Sequence, residues 1–340
     1  MLKTIKFLWA LFLFTFPFSI RFLFYEEASY RFGNFNPWVS GFVYLPEVLL
    51  IFIFVLWIIY KLKIQDLRFK IKSKWPWVLA TLFIINAFAI TLIQGDSLLG
   101  FIFLIRFFEI LIVAWLIIDK ILKPKQIVTI LLFGALFQIT LGLIQWYLNH
   151  SVGLTFIGES IIGADVLGVA KNNLADGTKQ IRAYGTFLHP NIFAAYLLII
   201  YFLSLKYLKV GSKLFWFIVF MIGIFLAGSR AAAIVVVCGF ILYFAFSKLK
   251  SISVRKYIIL VIAVLLTIGN IWLFTQSSAI TTKDNSIKER IYQNTISKDM
   301  FFSNPLGVGV RNFTLASDWI TGNKLAPWEF QPVHNTYFLI

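Results

Sequence analysis

The sequence predicts an all-α, polytopic membrane helix bundle, and three observations carry that prediction. Hydrophobic residues make up 60% of the 340-residue chain and charged residues 14%, against roughly 45–50% and about 25% in soluble domains. Apolar runs of about 17–25 residues, the length that crosses ~30 Å of hydrocarbon, recur along the chain. Between them, basic connectors alternate with acidic or mixed ones.

The runs place helices at about 6–24, 41–60, 77–93, 99–118, 127–148, 190–208, 214–228, 231–247 and 257–275. A tenth begins near Asn335 and is cut short, so the chain is expected to be truncated at its C-terminal side. Lys3 and Lys6 precede the first apolar run, which is overlong for a signal peptide and lacks a small-x-small cleavage site; an uncleaved first helix is expected. Eighteen of the 31 Lys and Arg fall in five clusters: 3–6, 61–74, 120–125, 206–213 and 248–256. By the positive-inside tendency these connectors are cytoplasmic and the intervening ones external, with the N-terminus in the cytoplasm. The 214–247 region is read as a hairpin. Both of its ends carry basic clusters, which requires an even number of crossings, and Gly228-Ser229-Arg230 interrupts it where a turn is needed.

Two long external loops follow from this topology. The loop 149–189 is Gly-rich and reads as interfacial or re-entrant. The large loop 276–334, late in the chain, is polar, with a short helix expected near 286–300. One polytopic membrane domain, 1–340, accounts for the whole.

Composition also excludes function classes. The formal charge of +16 is scattered over short connectors, where it orients helices, and not gathered on a soluble face that would bind nucleic acid. The lone Cys238 rules out an intramolecular disulfide and a cysteine-built metal cluster. Three scattered histidines argue against a tightly held metal.

Chemistry-bearing residues gather on the external side. Arg182 precedes the helix start at Pro190, and Arg230 lies between two apolar helices. Arg290 and Arg311 lie in the late loop, the latter beyond Gly307-Val308-Gly309. His334 follows Pro332 at the entry to a new apolar run. An ordinary histidine, with a pKa of about 6.5, can accept a proton at neutral pH; guanidinium forks match phosphate oxygens. His189 is read as a hydrogen-bonded helix-end residue or a participant. Within the membrane, Arg106 and Glu109 share a helix face and are expected to pair. Glu47, Gln138 and Gln145 are further intramembrane polar candidates.

Four segments together resemble the O-antigen ligase and polymerase family of bacterial membrane proteins. They are Arg182-Ala183-Tyr184-Gly185-Thr186-Phe187 with His189-Pro190-Asn191, Gly228-Ser229-Arg230-Ala231-Ala232, Asn304-Pro305-Leu306-Gly307-Val308-Gly309 with Asn312-Phe313, and His334-Asn335. Gln145 near the end of the fifth span also fits, and the family-like core covers about 125–340. The resemblance implies a bacterial inner-membrane enzyme with its active face external (periplasmic). It would use an undecaprenyl-diphosphate-linked glycan donor, a glycolipid or other glycan acceptor, and no cofactor or metal. It also implies His334 as catalytic residue, with Arg182, Arg230 and Arg290 on the diphosphate or substrate; Arg311 is a further candidate for that role, and His189, Asn335 and Gln145 are candidates for support. Transfer by single displacement would make it an inverting glycosyltransferase. A repeat-unit polymerase of lipid-linked polysaccharide is the alternative enzyme. A small-solute or lipid transporter centred on Glu47, Arg106 and Glu109 is the alternative of another class.

Overall fold

The computed structural model describes all residues except 27–28, 32, 65–74, 95–96, 175–176, 247–279, 323–324, 327–328 and 333–340. It is mostly helical and divides into two compact units. One comprises Met1–Ile5, Arg21–Ile121 and Thr282–Ile340; the other comprises Lys6–Ile20 and Leu122–Thr281.

The second unit is built from most of α1 (Leu2–Thr15), then α5 (Pro124–Leu148), α6 (Pro190–Ser204), α7 (Val210–Leu226) and α8 (Arg230–Phe246). Proline stands at the first turn of both α5 and α6, where its missing N–H costs no hydrogen bond. α6 packs on α5, α7 and α8, and its inward face is aromatic. Phe193, Leu197 and Tyr201 are fully buried, with Tyr201 5.9 Å from Phe217 and 5.5 Å from Phe220 between ring centroids. The outward faces are apolar too: Phe133, Tyr147, Ile199 and Phe215 are exposed, as suits helices whose solvent is lipid. α7 and α8 are separate helices that meet at Ala227–Ser229, within the region 214–247 where the sequence places a break.

The first unit carries α2 (Leu45–Lys63), α3 (Trp75–Gln94) and α4 (Ser97–Ile118), and from the late loop α9 (Ile280–Ser303) and α10 (Phe313–Ile320). Two charged contacts tie α2 to α4 and its end. Lys61 Nζ lies 2.7 Å from Asp119 Oδ1, whose Oδ2 accepts from Trp57 Nε1 at 2.9 Å. Nearer the other end of α2, Arg106 Nε pairs with Glu47 at 2.8 Å while its Nη2 donates to Phe42 O. The expected Arg106–Glu109 pair on one helix is therefore replaced by a pair between helices. The guanidinium reaches Glu47, the Phe42 carbonyl and the Tyr44 ring together, which a neighbour on its own helix face could not offer.

Among the described residues, three helices are long and apolar enough to cross a membrane: Leu45–Lys63, Leu98–Ile118 and Pro124–Leu148. Trp77–Ile93, Pro190–Ser204, Gly211–Leu226 and Arg230–Gly239 are shorter apolar helices. The expected spans at 257–275 and from Asn335 lie outside the described residues. The late-loop helix expected near 286–300 is present and longer, as α9.

Two expectations are corrected. The first helix ends at Thr15 and not near 24, because Pro17 cannot continue it. The aromatic run beyond becomes β1 (Arg21–Tyr25), antiparallel to β4 (Gly41–Tyr44), with Phe22 opposite Val43. The fold is also not wholly α. β2 (Tyr30–Arg31) pairs with β3 (Asn34–Phe35) between those strands, and β5 (Lys171–Asn173) with β6 (Lys179–Ile181) in the loop after α5. Backbone leaving a helix among apolar neighbours still needs hydrogen-bond partners, and short hairpins supply them.

Lys61 is buried, with its side chain 8% exposed, so removing its counter-ion strands a charge. Asp119→Ala should lower stability by about 3 kcal/mol, read as a shifted unfolding midpoint in detergent, whereas Lys61→Met with Asp119→Leu should recover most of the loss.

Candidate anion site at the α7–α8 turn

The turn Arg182–Phe187 in the second unit is held from below by the side chains of α5. Gln145 Oε1 accepts from Tyr184 N (3.1 Å) and Gly185 N (2.9 Å), while its Nε2 donates to Gly185 O (2.8 Å) and Glu159 Oε1 (2.9 Å). Two turns earlier on α5, Gln138 accepts from Thr186 N and donates to Thr186 Oγ1, both at 2.8 Å; Thr186 Oγ1 in turn donates to Pro17 O. Both glutamines are fully buried. Gly185 has φ +60°, and a Cβ there would collide with Gln138, so only glycine lets the turn lie this close to α5.

Glu159 completes the support. It is buried and accepts from the backbone N–H groups of Val152 (2.7 Å), Gly153 (2.9 Å) and Leu154 (2.6 Å) besides Gln145. The loop 149–189 is thus a constructed turn with a carboxylate at its centre, and Gln145 ties that carboxylate to the Arg182–Phe187 turn.

Arg182 sits on this platform and faces the α7–α8 turn. Its Nε donates to Ala227 O at 2.7 Å, its Nη2 to Asn191 Oδ1 at 2.7 Å, and Ala183 N bonds Leu226 O at 2.9 Å. A carbonyl at a helix C-terminus is the negative end of the helix dipole, a natural anchor for a cation. Gly228, with φ +58°, lies between α7 and α8; a Cβ there would stand 3.1 Å from Arg182 Nε. Arg230 then opens α8, exposed to the surroundings. The structure therefore brings Arg182 and Arg230 together, close enough that the charge of one opposes that of the other. Burial first, and Arg230 in addition, push the Arg182 guanidinium down to about 10, against a smaller opposing pull from Tyr184. At neutral pH it remains charged. Burial likewise raises the Tyr184 hydroxyl, which accepts from Ala170 N at 2.7 Å.

His189 is the N-cap of α6: its Nδ1 accepts from Asn191 N at 3.1 Å, the helix-end role that its position next to Pro190 implied. Asn191 joins α6 to Arg182, so the helix start and the guanidinium are positioned as one piece.

The other candidates belong to the first unit. Arg290 is exposed on α9. Arg311 is half-buried, not a solvated surface charge. It holds φ +63°, its Nη2 donates to Ser40 O at 2.7 Å, and its Nη1 is buried without a hydrogen-bond partner. Burial, and then Arg106, lower its pKa, while Tyr44 and Glu47 pull the other way. The segment Asn304–Val310 lines a cleft of about 220 Å³ with Phe83, Ile90, Phe103 and Met300. His334 and Asn335 lie outside the described residues.

Comparison with known proteins adds to this geometry. A family model described as O-antigen ligase matches residues 214–340. Residues 214–340 are thus similar to O-antigen ligases. No curated protein matches the chain, and no solved structure does. The domain begins within α7 and takes in Arg230, Arg290, Arg311 and His334; the Arg182 turn that meets Arg230 precedes it. That likeness, together with the apolar helices, marks an integral membrane protein.

The sequence reading missed Glu159. An acidic residue a few positions after Val152-Gly153-Leu154, where a glycine with positive φ bends the backbone, is the available signal: successive N–H groups turned inward need an anion.

Two outcomes follow. Glu159→Ala leaves three backbone donors and Gln145 short of an acceptor and should cost about 3 kcal/mol, measured by chemical denaturation in detergent. Affinity for a polyprenyl diphosphate should be level from pH 7 to 9 and fall as pH rises through about 10. A ligand anion favours charged Arg182, so binding is fully present below the free-protein pKa and weakens above it; Arg182→Lys, which lacks the fork, should bind weakly throughout.

Proposed function

We propose that this protein transfers a glycan from an undecaprenyl-diphosphate carrier to an acceptor hydroxyl at the outer face of the cytoplasmic membrane. The single observation that supports this most is the Arg182–Arg230 pair, set on a rigid turn at one end of the second unit. Two like charges held together oppose each other, and an anion between or beside them relieves that opposition. The bonds to Ala227 and Asn191 engage two of the five N–H donors of Arg182, which leaves the outer edge of the fork for phosphate oxygens.

In the reaction, the acceptor oxygen attacks the anomeric carbon of the donor sugar. The bond from that carbon to the diphosphate oxygen breaks as the new carbon–oxygen bond forms. The acceptor proton passes to His334, and the lipid diphosphate leaves with the bonding electron pair. Negative charge grows on the leaving diphosphate, so pre-placed guanidinium groups stabilise the transition state more than the ground state. Arg182 and Arg230 carry this role. A single displacement inverts the anomeric centre and asks for no metal. Buried Gln145 and Gln138 keep the turn in place without repacking during the step, and His189 and Asn191 position the start of α6. Asn335 would support His334.

The transporter alternative gains nothing from the arrangement of Glu47 and Arg106, which are committed to each other and to the backbone around Phe42 and Tyr44. Ligase and polymerase share every element named above and differ in the acceptor.

Loss of one diphosphate contact should cost on the order of 10²–10³ in rate, and loss of the base ~10²–10⁴. Arg230→Ala and His334→Ala should therefore accumulate in membranes at normal levels yet transfer glycan at no more than about one hundredth of the parent rate. The measurement is conversion of a radiolabelled undecaprenyl-diphosphate glycan by purified protein in liposomes. Parent-like rates in both variants would remove the proposal.

A further inference from the structure

The loop that joins α5 to α6 supports the Arg182 turn on its inner side, and its outer side is apolar. The bridge between His150 and Gly163 and the bond from Ser151 N to Ile162 O (2.9 Å) hold two of its stretches together as paired chain. Neighbouring side chains of paired chain face opposite ways. Ile162, 3% exposed, packs inward with Ile181 and Tyr184. Ile161 points outward and is 73% exposed, as is Phe156, and Leu167 is 95% exposed.

These side chains are presented by pinned backbone. Val166 N bonds Gly163 O at 3.3 Å, and Lys171 Nζ donates to Ala164 O at 2.5 Å and Val166 O at 3.0 Å, which fixes the turn before Leu167. Beside Phe156, the N–H groups of Val152, Gly153 and Leu154 are taken by Glu159, and Gly158 N bonds Thr155 O at 2.9 Å. Between Ser151 and Ala170 the ionisable side chains are Glu159, which is buried, and Asp165, which is exposed. The loop joins helix ends that are apolar on the outside too: Tyr147 of α5 and Ile192 of α6 are exposed.

We propose that Phe156, Ile161 and Leu167 form a lipid-docking surface, which seats this loop at the boundary between headgroups and acyl chains at the α5–α6 end of the second unit. The occupant is the bilayer leaflet. An apolar surface gains by leaving water, and backbone whose polar groups are already engaged gives up few hydrogen bonds in doing so. Asp165, next but one to Leu167, keeps the seat shallow, because a carboxylate stays among the headgroups. Arg182 N bonds Ala170 O at 3.1 Å, and Glu159 is bonded to Gln145 beneath the turn. The depth of the loop therefore also sets the depth of the Arg182 guanidinium, among the lipid phosphates. The docking stands apart from any reaction; its effect on donor capture rests on glycan transfer from a lipid diphosphate.

Depth is read with a fluorophore. Cys238, the one cysteine of the chain, is changed to alanine. Phe156→Cys, Ile161→Cys, Leu167→Cys and Lys179→Cys are then each labelled with a nitrobenzoxadiazole dye in phosphatidylcholine liposomes. Lipids with a nitroxide on the acyl chain should quench the first three about twofold or more, and Lys179, on the polar hairpin β5–β6, far less. Quenching at the apolar positions no greater than at Lys179 would overturn the proposal. So would a blue-shifted but unquenched dye, since a protein surface such as a second copy would then be the occupant. Ile161→Asp with Leu167→Asp should abolish quenching at Phe156→Cys, raise the KM for the lipid-linked donor about 10-fold and leave kcat within about twofold. Lost quenching with an unchanged KM would overturn the link to Arg182. Absence of transfer in the parent protein would instead dispose of the reaction and leave the quenching result standing.

Discussion

The structure depends on how a polar loop is allowed to lie against apolar helices. Every backbone N–H and C=O removed from water must find a partner or cost a kcal/mol or more. Gln138, Gln145 and Glu159 supply those partners for the Arg182–Phe187 turn and the loop before it. They are neutral or internally neutralised by N–H dipoles, so the platform adds no free anion that would compete with a ligand for Arg182. Removal of this lattice would leave the α7–α8 turn without the guanidinium that faces it.

The first unit uses a related strategy at longer range. Its hairpin is small, but Asn36 donates to Phe330 O and Ser40 O accepts from Arg311, nearly three hundred positions later. Lys61–Asp119 and Arg106–Glu47 keep α2 against α4, and the hairpin that begins α2 is therefore held on a stiff support. Charged pairs here serve registration between helices more than net stability, since their desolvation offsets much of their attraction.

Much of this was legible in the sequence, for physical reasons that differ by element. Helices 45–63, 97–118 and 124–148 are apolar all round, which has one interpretation in a chain so poor in charge. The break at Gly228-Ser229 was legible because glycine interrupts the apolar run there. Arg182 and Arg230 could be named individually, but their meeting depends on the Ala227 carbonyl and on Asn191, which carry no periodic signal. The strand at 21–25 was hidden because an aromatic run reads equally well as membrane helix; Pro17 was the clue that decides against it. Glu47 as the partner of Arg106 was not legible, since sequence spacing ranks neighbours on one helix and says nothing of the next.

The helices beside the arginine pair are also short. α6 has 15 residues and α7 has 17, which at 1.5 Å per residue span about 22–26 Å. Where helices of that length cross a hydrocarbon core of ~30 Å, thinning of the bilayer is one way to meet them. Thinning of that kind draws lipid headgroups inward and compresses the leaflet beside the helices.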